Sequence, residues 1–199
     1  MKTNIYDENL NKCSANFQAL SPLQFLERAA LAFPEKIAVI HGKKKFTYNE
    51  FFSRCKKLAS ALSNIGISKG DSVAIISPNT PAMLEAHYGI PMAKAVINTI
   101  NYRLDAKGIA HILSHSEVKV LLVDTEFSNL TLEALKLVDR NVLVIDINDD
   151  TNTSYNQIGK LEYEEFLNTG NSNFNWKMPD DEWDAISLNY TSGTTGNPK

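Results

Sequence analysis

The sequence predicts an α/β fold of layered sheets and flanking helices, and three observations predict it. From residue 70 onward, short β-branched runs alternate with stretches of helical periodicity. Runs such as "VLLV" in VKVLLVD and "VLVI" in NVLVIDI are apolar on consecutive residues, which suits parallel strands covered on both faces. A chain of 199 residues with 43% hydrophobic content can bury a real core, as one domain or as most of a larger one.

Residues 1–20 lack the apolar stretch of a signal peptide and are expected to form an N-terminal arm, with 21–199 as one incomplete domain. "SPLQFLERAALAF" opens with Ser21 as N-cap, Pro22 at the first helical position and Gln24 as capping-box partner; Pro34 closes this first helix. "KIAVIHGKKKFTY" predicts two short strands turning at Gly42. Thr47 and Glu50 form a second capping box, and Phe51, Cys55, Leu58, Leu62 and Ile65 recur at helical spacing until Gly66. "DSVAIIS" then predicts a strand, "NTPAMLEAHYGIPMAKA" a helix capped at Thr80, and "AVINTIN" a strand. "LDAKGIAHILSHS" and "SNLTLEALKLVD" predict helices, each followed by one of the two apolar strands already named. Residues 148–182 are rich in Asn, Asp, Ser and Gly and read as a long surface excursion with one short amphipathic piece, "LEYEEFL". "WDAISLNY" returns to strand character.

Composition removes several classes of function. Net charge is −3 and the cations are scattered, only Lys43, Lys44 and Lys45 forming a run, so no basic stripe points to nucleic acid. That lysine run reads as a solvated hairpin tip. Two cysteines, Cys13 and Cys55, and no leader predict reduced thiols in a cytoplasmic protein, and no window is long and apolar enough for a membrane span. His111 and His115 stand four apart on a predicted helix, but "HILSH" lacks the glutamate of H-E-x-x-H and shows no third ligand, so no metal site is assigned. His41 and His87 read as turn and packing residues, and Cys55 as a buried thiol. Phe51, Phe52 and Tyr48 read as core and cap.

The chemistry concentrates in the last ten residues, "YTSGTTGNPK". Gly193 and Gly196 allow close backbone approach to a ligand, so that successive N–H groups can converge on an anion. Thr191, Ser192, Thr194 and Thr195 add hydroxyl donors, and Lys199 adds a mobile charge suited to a polyphosphate. The spacing matches neither G-x-x-x-x-G-K-[ST] nor G-x-G-x-x-G. Chemistry alone therefore leaves two readings, a phosphate loop or a flexible Ser/Thr/Gly linker.

The motif resembles the phosphate-binding signature of the acyl-adenylate-forming superfamily of AMP-dependent synthetases and ligases. "FTYNEF" (46–51) resembles the first core motif of that family and "PMAKAVINTINYRL" (91–104) its second. The likeness runs from about Ser21 to Lys199 and is nearest to medium-chain and short-chain acyl-CoA synthetases, including plant acyl-activating enzymes and methylmercaptopropionate-CoA ligases. It implies the N-terminal part of an acid–CoA ligase that uses ATP with Mg2+, a carboxylic acid (a fatty acid by the wording of 70–93) and CoA. It also implies that Thr191, Ser192, Gly193, Thr194, Thr195, Gly196 and Lys199 hold the phosphates of ATP. No nucleophile is implied among these residues. An aryl-acid or amino-acid adenylating enzyme is the alternative, and a noncatalytic nucleotide-binding or interaction fragment is another. The family's acyl pocket, ribose-binding aspartate and catalytic lysine lie downstream of this motif, so the chain alone is expected to be inactive and, with uncovered sheet edges, prone to aggregate. One departure stands out: Lys94 occupies a position where relatives carry glycine, which puts close backbone packing there in doubt.

Overall fold

The computed structural model describes residues 4–149 and 156–191. The first helix, α1 (Leu23–Ala32), leads into a hairpin of β1 (Ile37–His41) and β2 (Lys44–Thr47) that turns at Gly42. There follow α2 (Tyr48–Asn64), β3 (Ser72–Ile76), α3 (Pro81–Met92), β4 (Val96–Thr99), α4 (Ala106–His115), β5 (Val120–Asp124) and α5 (Ser128–Leu135). The described chain continues with β6 (Leu143–Ile147), β7 (Leu161–Glu162) and α6 (Tyr163–Asn168). The sheet order is β4-β3-β5-β6-β7, and every pairing in it is parallel.

All five residues of β3 and of β5 are buried, which is why their sequences are apolar on both faces rather than alternating. Val73, Ile75, Ile97, Val120, Leu122 and Ile145 face a cluster built from α1, α2, α3 and α6. Ala74, Ile76, Leu121 and Val123 face the opposite cluster, with Ile109, Leu113 and Ala134 of α4 and α5. Each Leu or Ile so buried contributes about 1.5–3 kcal/mol relative to exposure. Where α3 crosses α2, Gly89 lets the helices touch: a Cβ there would stand 2.8 Å from Leu58 Cδ2 and 2.9 Å from the Cys55 carbonyl oxygen. Surface apolar side chains are nevertheless large, among them Phe25, Leu31, Phe33, Ile40 and Trp183.

The Thr47–Glu50 capping box forms in both directions, at 3.2 Å and 2.7 Å. The box expected at Ser21 does not. Ser21 Oγ accepts from the Leu23 N–H at 3.3 Å, but the Gln24 amide donates instead to the Ala19 carbonyl. Within 156–182 the chain is not a plain surface excursion, because the expected amphipathic piece packs inward as α6. Tyr163, Phe166 and Leu167 of α6 are 1–2% exposed and complete the first core cluster, and Phe174, Trp176 and Met178 pack against it.

Three helices end the same way. After α2, Gly66 takes φ +89°, and the N–H groups of Gly66 and Ile67 bond to Ser63 and Leu62. After α3 the same pair of bonds runs from Lys94 to Pro91 and from Ala95 to Ile90, with Lys94 at φ +61°. After α4 it runs from Glu117 to Ser114 and from Val118 to Leu113, with Glu117 at φ +52°. This is the Schellman stop, whose left-handed residue favours glycine. Position 94 therefore favours glycine because of its left-handed backbone, and Lys94 adopts that conformation. Lys94→Gly and Glu117→Gly are each expected to raise stability by about 1 kcal/mol, read as a higher denaturation midpoint, because a left-handed L-residue is strained.

A charged cluster ties the hairpin, α2, α3 and α6 together. Arg54 Nε donates to Glu85 Oε1 at 2.6 Å and Nη2 to Oε2 at 3.2 Å. Its other edge donates to Glu164 at 2.9 and 2.6 Å. The Tyr163 hydroxyl donates to Glu85 Oε2 at 2.9 Å, and the guanidinium lies 4.9 Å from the centre of the Phe46 ring. Burial opposes the Arg54 charge, but the bonds to Glu164 and Glu85 outweigh it and hold the group above its ordinary value. Burial raises the Tyr163 hydroxyl well above the phenolic range, so it remains a donor.

Candidate functional site

In a parallel sheet the carboxyl ends of all strands open on one edge, and ligands bind where consecutive crossovers leave in opposite directions. Here β3 connects through α3 to β4 on one side, and β4 returns through α4 to β5 on the other. The reversal lies between β3 and β5. At that edge the Ser77 and Thr80 hydroxyls stand 3.1 Å apart at the start of α3, and Asp124 Oδ1 accepts from the Glu126 N–H at 3.0 Å after β5. The Asn101 side chain accepts from the Arg103 N–H at 3.0 Å after β4.

The segment that carries the terminal motif joins the same sheet. The Ile97 N–H donates to the Ile186 carbonyl at 3.0 Å and the Leu188 N–H to the Ile97 carbonyl at 2.9 Å, a parallel bridge on the outer side of β4. "WDAISLNY" is therefore a one-bridge addition rather than the full strand its composition suggested. It runs in the direction of its neighbours, so Asn189, Tyr190 and Thr191 follow its carboxyl end. Asn189 Oδ1 accepts from Thr99 Oγ1 at 3.4 Å and from Ser187 Oγ at 3.2 Å. The Tyr190 hydroxyl lies 2.6 Å from His115 Nδ1. Thr191, the first expected phosphate ligand, is exposed. Ser192, Gly193, Thr194, Thr195, Gly196 and Lys199 lie outside the described residues.

The other singled-out residues have definite places. His41 Nε2 meets the Asp149 carboxylate at 2.9 and 3.0 Å, so it bridges the hairpin to the end of β6 rather than simply turning the chain. His87 is exposed and bonded to the Met83 carbonyl at 2.7 Å, not packed as expected. The rings of His111 and His115 stack at 5.6 Å and 20°, with Tyr190 edge-on to His115. Cys55 is fully buried and burial raises its thiol pKa well above the ordinary value. Among the described residues no group of three or more His, Cys, Asp or Glu is placed to hold a metal ion, and no helix is long and apolar enough to cross a membrane. Tyr190 and Asn189 went unnoticed in the sequence. Their signal was position alone, the two residues between a strand and a glycine-rich loop.

The chain is similar to proteins of known activity. An acetate/butyrate–CoA ligase of Arabidopsis thaliana, described as peroxisomal, is 46% identical over 204 residues, covering 96% of this chain and 36% of that protein. An acetate–CoA ligase of Humulus lupulus is 45% identical with the same coverage, 96% and 36%. The chain thus spans 36% of the length of these curated relatives. An anthranilate CoA ligase crystallised with anthranoyl-AMP shares the fold at a TM-score of 0.83 and 21% identity, over 94% of this chain and 35% of that one. A long-chain-fatty-acid-CoA ligase from Archaeoglobus fulgidus superposes at 0.74 with 26% identity, over 92% and 37%. The family model described as AMP-binding enzyme matches residues 26–199, from α1 through the terminal motif, and this chain belongs to that family.

Proposed function

We propose that this chain is the part of an AMP-forming acid–CoA ligase that supplies the phosphate-binding loop. The observation that carries the reading is the parallel bridge of Ser187 to Ile97, after which the described chain runs as far as Thr191 beyond the carboxyl end of β4. In the complete ligase a carboxylate oxygen attacks the α-phosphorus of Mg-ATP, the bond to the β-phosphate breaks, and pyrophosphate departs with its electron pair. The thiolate of CoA then attacks the acyl carbon of the adenylate and AMP leaves. Thr191, Ser192, Gly193, Thr194, Thr195, Gly196 and Lys199 serve the first step: amides, hydroxyls and one ammonium hold the β- and γ-phosphates and stabilise the leaving group. Mg2+ enters with ATP as part of the substrate.

The names of two relatives, an acetate/butyrate–CoA ligase and an acetate–CoA ligase, support a short, straight-chain acid. The full-length protein containing this chain is expected to catalyse ATP–pyrophosphate exchange that depends on acetate or butyrate, and the 199-residue chain alone is expected to catalyse none. Exchange supported by aryl acids or amino acids instead moves the assignment to another branch of the superfamily, and exchange by the short chain refutes its proposed inactivity. We place the protein in the cytoplasm with Cys13 and Cys55 reduced; both are free thiols in the structure.

A further inference from the structure

The phosphate loop needs a fixed root. Backbone bonds to Ile97 hold residues 186–188, and beyond them the Tyr190 side chain makes the last described contact to a helix before Thr191. We propose that His115, on α4, is a positioning residue for the phosphate loop, orienting it through the hydroxyl of Tyr190. The proposal rests on the reading of residues 191–199 as that loop.

Three observations support it. The Tyr190 hydroxyl and His115 Nδ1 are 2.6 Å apart, short for a contact at an exposed histidine. The His115 ring is itself held, stacked on His111 and met by the edge of the Tyr190 ring at 5.7 Å. The residue after His115, Ser116, is itself fixed: its Oγ accepts from Asn98 Nδ2 at 2.8 Å and donates to the Ile112 carbonyl at 2.6 Å. Asn98 belongs to β4, so the end of α4 that carries His115 is tied to the strand beside the Tyr190 segment. Burial raises the Tyr190 pKa, and its hydroxyl and His115 Nδ1 share one hydrogen bond. His111 and His115, four apart, then form a stacked pair serving a tyrosine 75 residues away rather than two arms of a metal site.

The test is steady-state kinetics of the full-length protein containing this chain. His115→Ala and Tyr190→Phe each lose one hydrogen bond, and each is expected to raise KM for Mg-ATP about fivefold while kcat stays within about twofold. KM for the acid stays unchanged. His115→Asn, whose amide can stand where Nδ1 stands, is expected to restore KM for Mg-ATP to within about twofold of wild type. A purely structural role predicts a lower denaturation midpoint and a reduced active fraction with KM for Mg-ATP unchanged, and that result overturns the inference. Thr195→Ala, measured alongside, separates the two levels. If it lowers the kcat of exchange about 10²- to 10³-fold while His115→Ala leaves KM unmoved, the loop reading stands and the positioning role fails. If Thr195→Ala leaves exchange intact, the loop reading fails, and the positioning role with it.

Discussion

Alanine in place of Thr195 is expected to lower the kcat of acid-dependent ATP–pyrophosphate exchange by about 10²- to 10³-fold in the full-length protein, the loss that follows when one preorganised donor to a developing charge is removed. The effect falls on kcat because negative charge on the bridging oxygen and on pyrophosphate grows as the bond to the α-phosphorus breaks. A donor matched to that charge does more in the transition state than in the bound substrate. KM for the acid is expected to stay within about twofold, since the acid contacts none of these residues in the proposed mechanism. Lys199→Ala belongs to the same experiment and is expected to weaken ground-state binding as well, because a full charge acts on ATP before any bond breaks. Rates within about threefold of wild type for both variants would remove the phosphates from the loop.

Glu85→Ala is expected to destabilise the folded protein by about 3–5 kcal/mol, measured as a shift of the urea denaturation curve. Glu85 is fully buried, and its carboxylate satisfies both Arg54 and the Tyr163 hydroxyl. Removing it leaves a guanidinium paired only on the half-exposed Glu164 side and a phenol with no acceptor in the core. Arg54→Met alone is expected to cost a similar amount, because it strands the buried carboxylate. The double change Arg54→Met with Glu85→Leu is expected to cost much less than the sum, since apolar groups of similar volume need no partner. Strict additivity of the two changes would show that the charges act independently, against the bidentate geometry.

Much of the fold was legible in the sequence because it depends on local signals. Thr47 and Glu50 are three residues apart, and a reciprocal cap needs nothing more distant. The apolar runs at 120–124 and 143–147 announced strands buried on both faces. Strand order was not legible: it depends on which way each crossover packs, and no residue near β3 records that β5 rather than β6 lies beside it. The piece around Tyr163 and Phe166 was legible as amphipathic but its full burial was not, since that is decided by α2 and β6, more than ten residues away. At the candidate site, the resemblance pointed to residues 191–199, and the bridge to Ile97 shows how their stem is attached. His115 was considered only with a neighbour four positions away, whereas its partner is Tyr190. Helical spacing speaks to neighbours on one helix and is silent about what the rest of the chain brings to them.

The outer edge of β4 waits a long time for its neighbour. Thr99 and Asn189, which face each other beside the bridge, are separated by 90 residues. As the polypeptide emerges from the ribosome at about 5–20 residues per second, the rest of the parallel sheet can assemble several seconds before that edge is capped. During the interval unpaired amides and carbonyls of β4 are available to any other nascent chain, which makes Ile97 the natural place for a chaperone to shield and for misassembly to begin.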